Sequence, residues 1–404
     1  MTARNDDHGG GLLRRMQIFI DGLLEQARRH GVNSELIIVE WNPPEDRPRL
    51  ADALRWPEES GPCTVRIIEV PPEIHSRFPY ADRLGLFQMM AKNVGIRRAR
   101  GQFILATNVD ILFSDSLMQF MTSGPLDAAC MYRIDRTDVS PDVPIGVPVA
   151  EQLEFCQQHV LRVCTRWGTF ESGQIRLFAV LKRGAIKVVA QRSVLIQLAL
   201  ERARHVMGRV RRRFMMGFRP EAVMLFLRSL LHRGLHEVSQ AATGLYQAIA
   251  GSLKGFWRRA THPLHTNACG DFTFLARERW FALRGYPELR MFSLHLDSVL
   301  CQMAVIGGAR EVVLGDEMRL YHMEHRSGWS PGEAETLTAR MSAQGVPILD
   351  YHQYRIWVNE FRRRGVPIIF NGEDWGLAQE RLHEADPVGR VRPGLVPVGE
   401  HIQT

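Results

Sequence analysis

Apolar residues recur at every third or fourth position between residues 12 and 24, which is typical of a helix with one buried face. An apolar run from Leu36 to Val39 follows and ends in the polar, proline-containing segment 40–44, so we expect a strand and then a sharp turn. A second strand is predicted from Val65 to Val70. This alternation of helices and buried strands is typical of an α/β fold with a mostly parallel sheet.

The stretch from residue 84 to residue 115 carries the pattern that points most directly to a ligand site. Its apolar positions recur at helical spacing and stop before Gly101. The run Phe103 to Thr107 then predicts a strand buried on both faces of a parallel sheet. Asp110 lies just past the carboxyl end of that strand, the edge at which open α/β sheets bind ligands.

An acid at this edge is well placed to bind the divalent ion of a nucleotide diphosphate. The alternative is that Asp110 caps the next helix. Ser114 is the better cap, because it stands immediately before the apolar positions of that helix.

Two separated blocks follow one family pattern. The first block holds a helix motif at 93–101, with Asn93, Gly95, Ala99 and Gly101, and the signature Asn108-Val109-Asp110. The second block holds the turn and strand at 266–275 and the loop at 285–288. In these blocks the chain resembles family 2 glycosyltransferases of the GT-A fold, which is a Rossmann-like, mostly parallel sheet with flanking helices. Agreement of two blocks in the same order is more specific than either motif alone.

The resemblance implies an inverting enzyme that transfers a sugar from a nucleotide diphosphate sugar to a hydroxyl group. Such a reaction needs a carboxylate to take the acceptor proton, and Asp297 matches the place where the family carries its catalytic base. The same position also suits a structural acid in the first turn of a helix. Asp271, in the turn that would face the acceptor, is the alternative base or a group that binds a sugar hydroxyl.

The resemblance also implies a metal site. The last position of the signature, Asp110, would contact the ion, whereas its first position is Asn108 instead of an acid. Some relatives complete the site with a histidine in the region of His322 and His325. The expected ion is Mn²⁺ or Mg²⁺, and imidazole favours Mn²⁺. The alternative is that both histidines are hydrogen-bonded structural residues.

The side chains expected to face the nucleotide sugar lie mostly at strand ends in the first half. Glu40 matches a family position that binds the base or ribose, and its alternative is a solvated acid at the end of a strand. Arg133 either contacts the diphosphate or forms a surface ion pair. The complete set is Arg4, Asn5, Glu40, Asn93, Asn108 and Arg133.

The composition of the 404 residues, with 45% hydrophobic and 24% charged side chains, is that of a globular protein. Neither a secretory signal nor an apolar run of spanning length is visible, so we expect a cytoplasmic protein. The six cysteines show no C-x-x-C pair, which argues against a disulfide framework or a structural zinc site.

The net charge of +7 is concentrated in one segment. Residues 175–260 contain 17 Lys and Arg against three acids, in an apolar and aromatic background. Basic and apolar residues alternate there at helical spacing, and helices of this kind bind anionic membrane surfaces. We therefore expect a peripheral contact with the inner face of a membrane. The alternative is a basic surface that is merely solvated. Nucleic acid is not expected as a partner, because no nucleic-acid motif accompanies the charge.

The beginning of the chain departs from the family pattern. Residues 2–7 resemble the turn that normally follows the first strand, with almost no strand before it. We therefore hypothesise that the gene encodes roughly 6 to 10 more residues, the length of a typical strand and its approach. If translation begins at Met1, a strand position is left open.

The expected organisation has four parts. A nucleotide-sugar-binding half spans 1–145, a basic helical insertion 146–262, an acceptor and catalytic half 263–345, and a C-terminal extension 346–404. The expected acceptor is an envelope glycan or a lipid-linked molecule.

Two other functions are considered. The first is a metal-dependent nucleotidyltransferase, which is disfavoured because no Gly-rich phosphate loop with a following lysine is apparent. The second is a non-catalytic relative that binds glycan or membrane, and Asn108 and the missing first strand support it.

Overall fold

The computed structural model describes residues 1–173, 264–325 and 333–389. Clustering of contacts separates residues 1–172 and 264–404 from residues 173–263. The second unit lies almost wholly outside the described residues, as does the basic segment 175–260. Everything below concerns the first unit, which is a mixed α/β domain.

The helices, numbered here in chain order, have the following bounds: α1 Leu12–His30, α2 Leu50–Ala53, α3 Pro72–His75, α4 Gln88–Arg98, α5 Asp115–Ser123, α6 Val149–Gln158, α7 Arg277–Leu283, α8 Leu296–Ile306, α9 Glu333–Ala343 and α10 Tyr351–Arg364. The strands are β1 Thr2–Ala3, β2 Ser34–Trp41, β3 Cys63–Val70, β4 Phe103–Ala106, β5 Ile111–Phe113, β6 Cys130–Arg133, β7 Arg136–Val139, β8 Val160–Thr165, β9 Gly168–Glu171, β10 Thr273–Ala276, β11 Arg310–Val313, β12 Leu320–Met323 and β13 His383–Ala385.

The first sheet has the order β1-β2-β3-β13. Strands β1, β2 and β3 run parallel, and β13 joins β3 antiparallel, so the parallel pairing predicted for the strands at 36–39 and 65–70 is confirmed. The strand position that the sequence analysis expects to be open holds the two residues of β1. They pair with Val39 and Glu40 of β2.

The second sheet has the order β11-β6-β10-β4. Here the prediction for residues 103–107 is wrong in one respect. Strand β4 pairs antiparallel with β10 and has no parallel neighbour among the described strands. The reason is long-range: β10 lies some 170 residues later along the chain and runs back along β4, which a local pattern cannot show.

The third sheet has the order β5-β12-β7-β8-β9 and carries most of the candidate site. Strand β12 lies between β5, its antiparallel neighbour, and β7, its parallel neighbour. Residues 149–171, which the sequence analysis assigns to the insertion, form α6 and the hairpin β8-β9. Because β8 pairs with β7, this part of the segment belongs to the first unit.

Side chains that alternate along β2 pack into two of the core clusters. In β2, Val39 and Trp41 pack into one cluster with α4 and α8, whereas Leu36 and Ile38 pack into the other with α1. Each fully buried side chain of this size stabilises the fold by roughly 1.5–3 kcal/mol. With helices covering both faces, the carboxyl ends of the strands remain available to position polar groups.

Helix boundaries follow the chemistry of their terminal residues. Helix α5 starts at Ser114, whose hydroxyl accepts the Leu117 N–H, so the predicted cap is confirmed. Helix α1 ends at Gly31 in the left-handed region, where a glycine is favoured. Because Ser114 caps α5, Asp110 is not needed for that purpose.

Candidate metal centre and the acids around it

Asp110, His322 and His325 converge. One ligand atom from each lies within 4.8 Å of the others. The register of β12 against β5 sets His322 opposite Ile111, directly after Asp110, and the Met323 N–H donates to the Asp110 carbonyl oxygen at 2.9 Å. His325 follows β12, so the end of one strand supplies both imidazoles.

The Asp110 carboxylate is buried and only partly engaged. Its Oδ2 lies 3.2 Å from His325 Nε2, 3.8 Å from His322 Nε2 and 3.9 Å from Arg15 Nε. Its Oδ1 has no hydrogen-bond partner among the residues that the structure describes. Burial by itself raises the pKa of Asp110, but the two histidines and Arg15 outweigh burial and hold the pKa well below its ordinary range. The carboxylate is therefore ionised, as a metal ligand must be.

Asp138 orients His322 from the side away from Asp110. Its Oδ1 lies 3.1 Å from His322 Nδ1, so the Nε2 atom is the one that faces Asp110. Burial raises the pKa of Asp138, yet His322 and Arg136 lower it to about 2. Arg162 Nε donates to the same carboxylate at 2.6 Å. A carboxylate behind a ligating imidazole is the usual support of a metal-binding histidine.

These donors fit a divalent ion. One carboxylate with an unpartnered buried oxygen and two imidazoles, one of them held by Asp138, form an open three-ligand set. Because two of the three ligands are nitrogen, the set suits Mn²⁺ better than Mg²⁺, which prefers oxygen ligands.

Asp271 lies at the entrance to β10 and is saturated by internal partners. Its Oδ1 accepts a hydrogen bond from Asn108 Nδ2, and its Oδ2 pairs with Arg136 Nη1 at 2.7 Å. Its carbonyl oxygen accepts the Thr107 hydroxyl at 2.7 Å. Asp271 is 3% exposed, so a substrate could contact its carboxylate only after this network opened.

Asp297 has a freer environment. It is the second residue of α8 and is partly exposed, and its Oδ1 accepts the N–H of the adjacent Ser298 at 2.7 Å. Its Oδ2 faces Gly270, since a Cβ atom at that glycine would stand 3.0 Å away. No cation among the described residues pairs with it, in contrast to Asp271.

Lys92 is a site residue that the sequence analysis missed. It lies on α4, is 2% exposed, and donates from Nζ to the Gly270 carbonyl oxygen at 2.7 Å. Burial lowers the pKa of Lys92, and the charges of Asp271, Asp297 and Asp110 act in the opposite direction. The sequence does contain a signal for it. Lys92 directly precedes Asn93 on a helix whose other nearby positions are mostly apolar, and a lysine among buried positions indicates a specific role.

The nucleotide-side candidates of the first sheet fall into two groups. Arg4 is partly exposed and donates to the Asn42 carbonyl oxygen at 2.8 Å and to Asp6 at 3.0 Å. Asn5 is buried and bonds the Pro48 carbonyl oxygen, while its Oδ1 has no hydrogen-bond partner. Of the two, Arg4 is the one that a ligand could reach directly.

Glu40 is 1% exposed, and both of its carboxylate oxygens accept the Leu50 N–H at 3.0 Å. Burial raises the pKa of Glu40 to about 7 against the opposing effect of that hydrogen bond. Contact with a nucleotide stays a prediction, and it would require Glu40 to release Leu50. The alternative of a solvated acid is wrong, because the side chain is buried.

Asn93 and Arg133 are engaged in the interior. Asn93 is fully buried and joins α4 to the loop at 285–288, with bonds to the N–H and carbonyl groups of Tyr286 at 2.8 Å. Arg133 is also fully buried and donates to the His265 carbonyl oxygen at 3.0 Å. The surface ion pair considered for Arg133 is therefore wrong. A contact of either residue with the nucleotide sugar stays a prediction.

Within the described ranges, no helix combines the length and apolar character required to cross a lipid bilayer. The expected membrane contact through residues 175–260 lies outside those ranges.

The sequence matches no known family model, and no curated protein matches it.

Proposed function

We propose that this protein is an inverting glycosyltransferase with a GT-A fold, which transfers a sugar from a nucleotide diphosphate sugar to a hydroxyl group. The observation that carries the proposal is the convergence of Asp110, His322 and His325 within 4.8 Å. The two acids of the second block, Asp271 and Asp297, lie around Gly270, whose carbonyl oxygen binds Lys92.

The metal centre would serve the leaving group. A divalent ion held by Asp110, His322 and His325 would neutralise the charge that develops on the departing diphosphate. Asp138 keeps His322 in the orientation that this requires, through the 3.1 Å contact with Nδ1. Mn²⁺ is the ion that the donor set favours, with Mg²⁺ as the alternative.

Asp297 is the base in this proposal, and Asp271 is a positioning residue. A base must be able to accept a proton from the acceptor hydroxyl, so it needs a free oxygen within reach of substrate. One carboxylate oxygen of Asp271 accepts a hydrogen bond from Asn108, and the other pairs with Arg136. Asp297, in contrast, is partly exposed and forms no ion pair with a described cation. The charges of Asp271 and Asp297 act on the buried Lys92, whose Nζ donates to the Gly270 carbonyl oxygen at 2.7 Å.

The acceptor and the location are argued from charge alone. A basic segment at 175–260 would hold the enzyme at an anionic membrane surface on the cytoplasmic side, which suits a lipid-linked or envelope glycan acceptor. Flotation with liposomes tests this part. Binding that does not respond to the fraction of anionic lipid would defeat it.

The central test is incubation of the purified chain with a panel of nucleotide sugars and Mn²⁺, with release of nucleotide diphosphate as the readout. We expect release with at least one donor and its loss in both Asp110→Ala and Asp297→Ala. Asp142→Ala, which alters an exposed acid, is the matched control and should retain activity. Release of pyrophosphate would instead identify a nucleotidyltransferase, and absence of donor binding by calorimetry would identify a non-catalytic relative.

A further inference from the structure

Two buried cysteines meet next to Asp297 and have no role in the function proposed above. Cys269 directly precedes Gly270 in the turn that leads to β10, and Cys301 lies on α8, one helical turn after Asp297. Both thiols are free and fully buried. Their side chains are hydrogen-bonded to each other, and the Asp297 charge acts on both. The turn and the helix thus bring two sulfur atoms into contact beside the proposed base.

A buried arginine lies beside this pair. Arg133 is fully buried and donates from Nη1 to the Cys269 carbonyl oxygen at 3.4 Å and to Thr273 Oγ1 at 3.3 Å. Its Nη2 has no hydrogen-bond partner, and no carboxylate forms an ion pair with it, among the residues that the structure describes. Because a guanidinium keeps its charge in proteins, a buried one favours an anion nearby.

The electrostatics make the two thiols unequal. The hydrogen bond with Cys269 and the charge of Arg133 lower the pKa of Cys301, although burial and Asp297 oppose this. Burial raises the pKa of Cys269, which therefore keeps its proton. Of the six cysteines, Cys301 alone has a lowered pKa. Since the thiolate is the reactive form of cysteine, Cys301 is the nucleophile of the pair.

We propose that Cys301 and Cys269 form a peroxide-reactive dithiol that closes to a disulfide and thereby slows the reaction at Asp297. The Cys301 thiolate attacks one oxygen of hydrogen peroxide, the O–O bond breaks, and the departing hydroxide takes up a proton to become water. The Cys269 sulfur then attacks the sulfur of the Cys301 sulfenic acid. The S–O bond breaks, and a second water leaves with the Cys269 proton.

The two thiols thus lose two electrons, and one peroxide is reduced to two waters. Hydrogen peroxide is little larger than water, so a brief local opening of the turn admits it to the buried pair.

Closure of the disulfide displaces groups that contact Asp297. A disulfide bond is about 2 Å long, shorter than a hydrogen bond, so it draws Cys269 toward α8. The Cys269 sulfur lies 3.5 Å from Ser298 Oγ, and the Ser298 N–H donates to Asp297 Oδ1 at 2.7 Å. Gly270 moves with Cys269 and faces the other oxygen, Oδ2. Only this effect on turnover rests on the proposed function, since the disulfide forms whether or not Asp297 is a base.

Peptide mapping of the full chain tests the dithiol. The reduced protein is treated with hydrogen peroxide, alkylated, digested without reductant and analysed by mass spectrometry. We expect the Cys269 peptide joined to the Cys301 peptide, and no such product in Cys301→Ser. In Cys269→Ser, the sulfenic acid should persist at Cys301 and be trapped by dimedone. Cys156→Ser is the matched control, because burial raises the pKa of that thiol to about 12, and it should form the same disulfide as the wild type.

The release of nucleotide diphosphate tests the consequence. Oxidation should lower turnover on the order of tenfold, because a small displacement of a catalytic group is costly, and dithiothreitol should restore it. Turnover of Cys301→Ser should not respond to peroxide. If that variant does not fold, Cys301→Ala takes its place.

Three results would overturn the proposal. They are free thiols at both positions after peroxide treatment of the folded wild type, disulfides scattered among the six cysteines, and a Cys269–Cys301 disulfide that leaves turnover unchanged. The proposed function can fail separately. A specific disulfide in a chain that releases nucleotide diphosphate from no donor would leave the dithiol standing without it.

Discussion

Asn108 donates a hydrogen bond to the Asp271 carboxylate across the antiparallel strands β4 and β10. The register pairs Ala106 with Thr273, which carries the two side chains past the strand ends to face each other. Since Arg136 already pairs with the other oxygen of Asp271, this place holds one carboxylate and one guanidinium. The side-chain amide of Asn108 therefore stabilises the buried Asp271 carboxylate by donating a hydrogen bond to it.

An exchange of the two groups tests this pairing. Asn108→Asp sets a second, partly buried carboxylate against the buried Asp271, and we expect it to lower the free energy of unfolding by about 2 kcal/mol. Asp271→Asn is also expected to destabilise, because Arg136 loses a partner. In the double variant, urea unfolding should show an interaction energy of roughly 1–3 kcal/mol between the two changes.

The matched comparison combines Asn108→Asp with Asp142→Asn, which alters an exposed acid that has no contact with either residue among those described. Those two effects should add within about 0.5 kcal/mol. If the changes at 108 and 271 add in the same way, the two residues do not act as a pair.

Asp138→Asn should weaken the metal centre without touching a ligand. The carboxylate of Asp138 orients His322 and favours donation from Nε2, so its loss is expected to reduce Mn²⁺ affinity by about 10- to 100-fold. Titration followed by electron paramagnetic resonance measures this. Asp142→Asn, in the exposed loop after β7, should leave the affinity unchanged, and equal affinities in all three proteins would contradict the assigned role.

Gly270→Ala should displace Asp297. The new Cβ atom would stand 3.0 Å from Asp297 Oδ2, closer than ordinary contact, so the carboxylate must move. The carboxylate must yield by a few tenths of an ångström, whereas a displacement of about 1 Å in a catalytic group can cost on the order of 100-fold in rate. Turnover should therefore fall, by less than that order, while the affinity for Mn²⁺ is retained, because Asp297 is not a ligand.

Asp142→Ala, at an exposed position, is the control for this change. A crystal structure of the Gly270→Ala variant would show directly whether Asp297 has moved. Full turnover in spite of a moved carboxylate would remove Asp297 from the mechanism.

Glu40 should make the stability depend on pH. Its folded pKa of about 7 exceeds the ordinary value of 4.5, so the folded state binds the proton more tightly than the unfolded state. This contribution is complete below pH 4.5 and is lost as the pH rises to 7, by roughly 3 kcal/mol at 1.36 kcal/mol per pKa unit.

Glu40→Gln removes the titration but keeps an oxygen that can accept the Leu50 N–H. The free energy of unfolding of the wild type relative to Glu40→Gln should therefore fall between pH 4.5 and pH 7 and then level off. Urea unfolding across this range measures the difference. Glu45→Gln, at an exposed position, should show no such trend, and a pH-independent difference for Glu40→Gln would contradict the prediction.

Local features of the fold could be predicted because they depend on neighbours along the chain. The apolar spacing of α1, the buried runs of β2 and β3, and the hydroxyl of Ser114 at the start of α5 each act within one or two turns. The position of Asp110 past the end of β4 is local in the same sense.

The support of the site could not be predicted in this way. Asp138 and His322 are 184 residues apart, Lys92 and Gly270 are 178 apart, and Asn108 and Asp271 are 163 apart. No periodicity or cap links such positions, because their proximity depends on which strands pair.

By itself, the sequence determined where helices and strands form and which polar side chains stand at their ends, since backbone conformation responds to adjacent residues. Only the tertiary structure decided which of those polar groups meet. It directs Asp271 inward to Arg136, leaves Asp297 partly exposed, and sets Arg15 against Asp110. The physical reason is that strand pairing and core packing join distant segments, and the burial and charge of each group follow from that assembly.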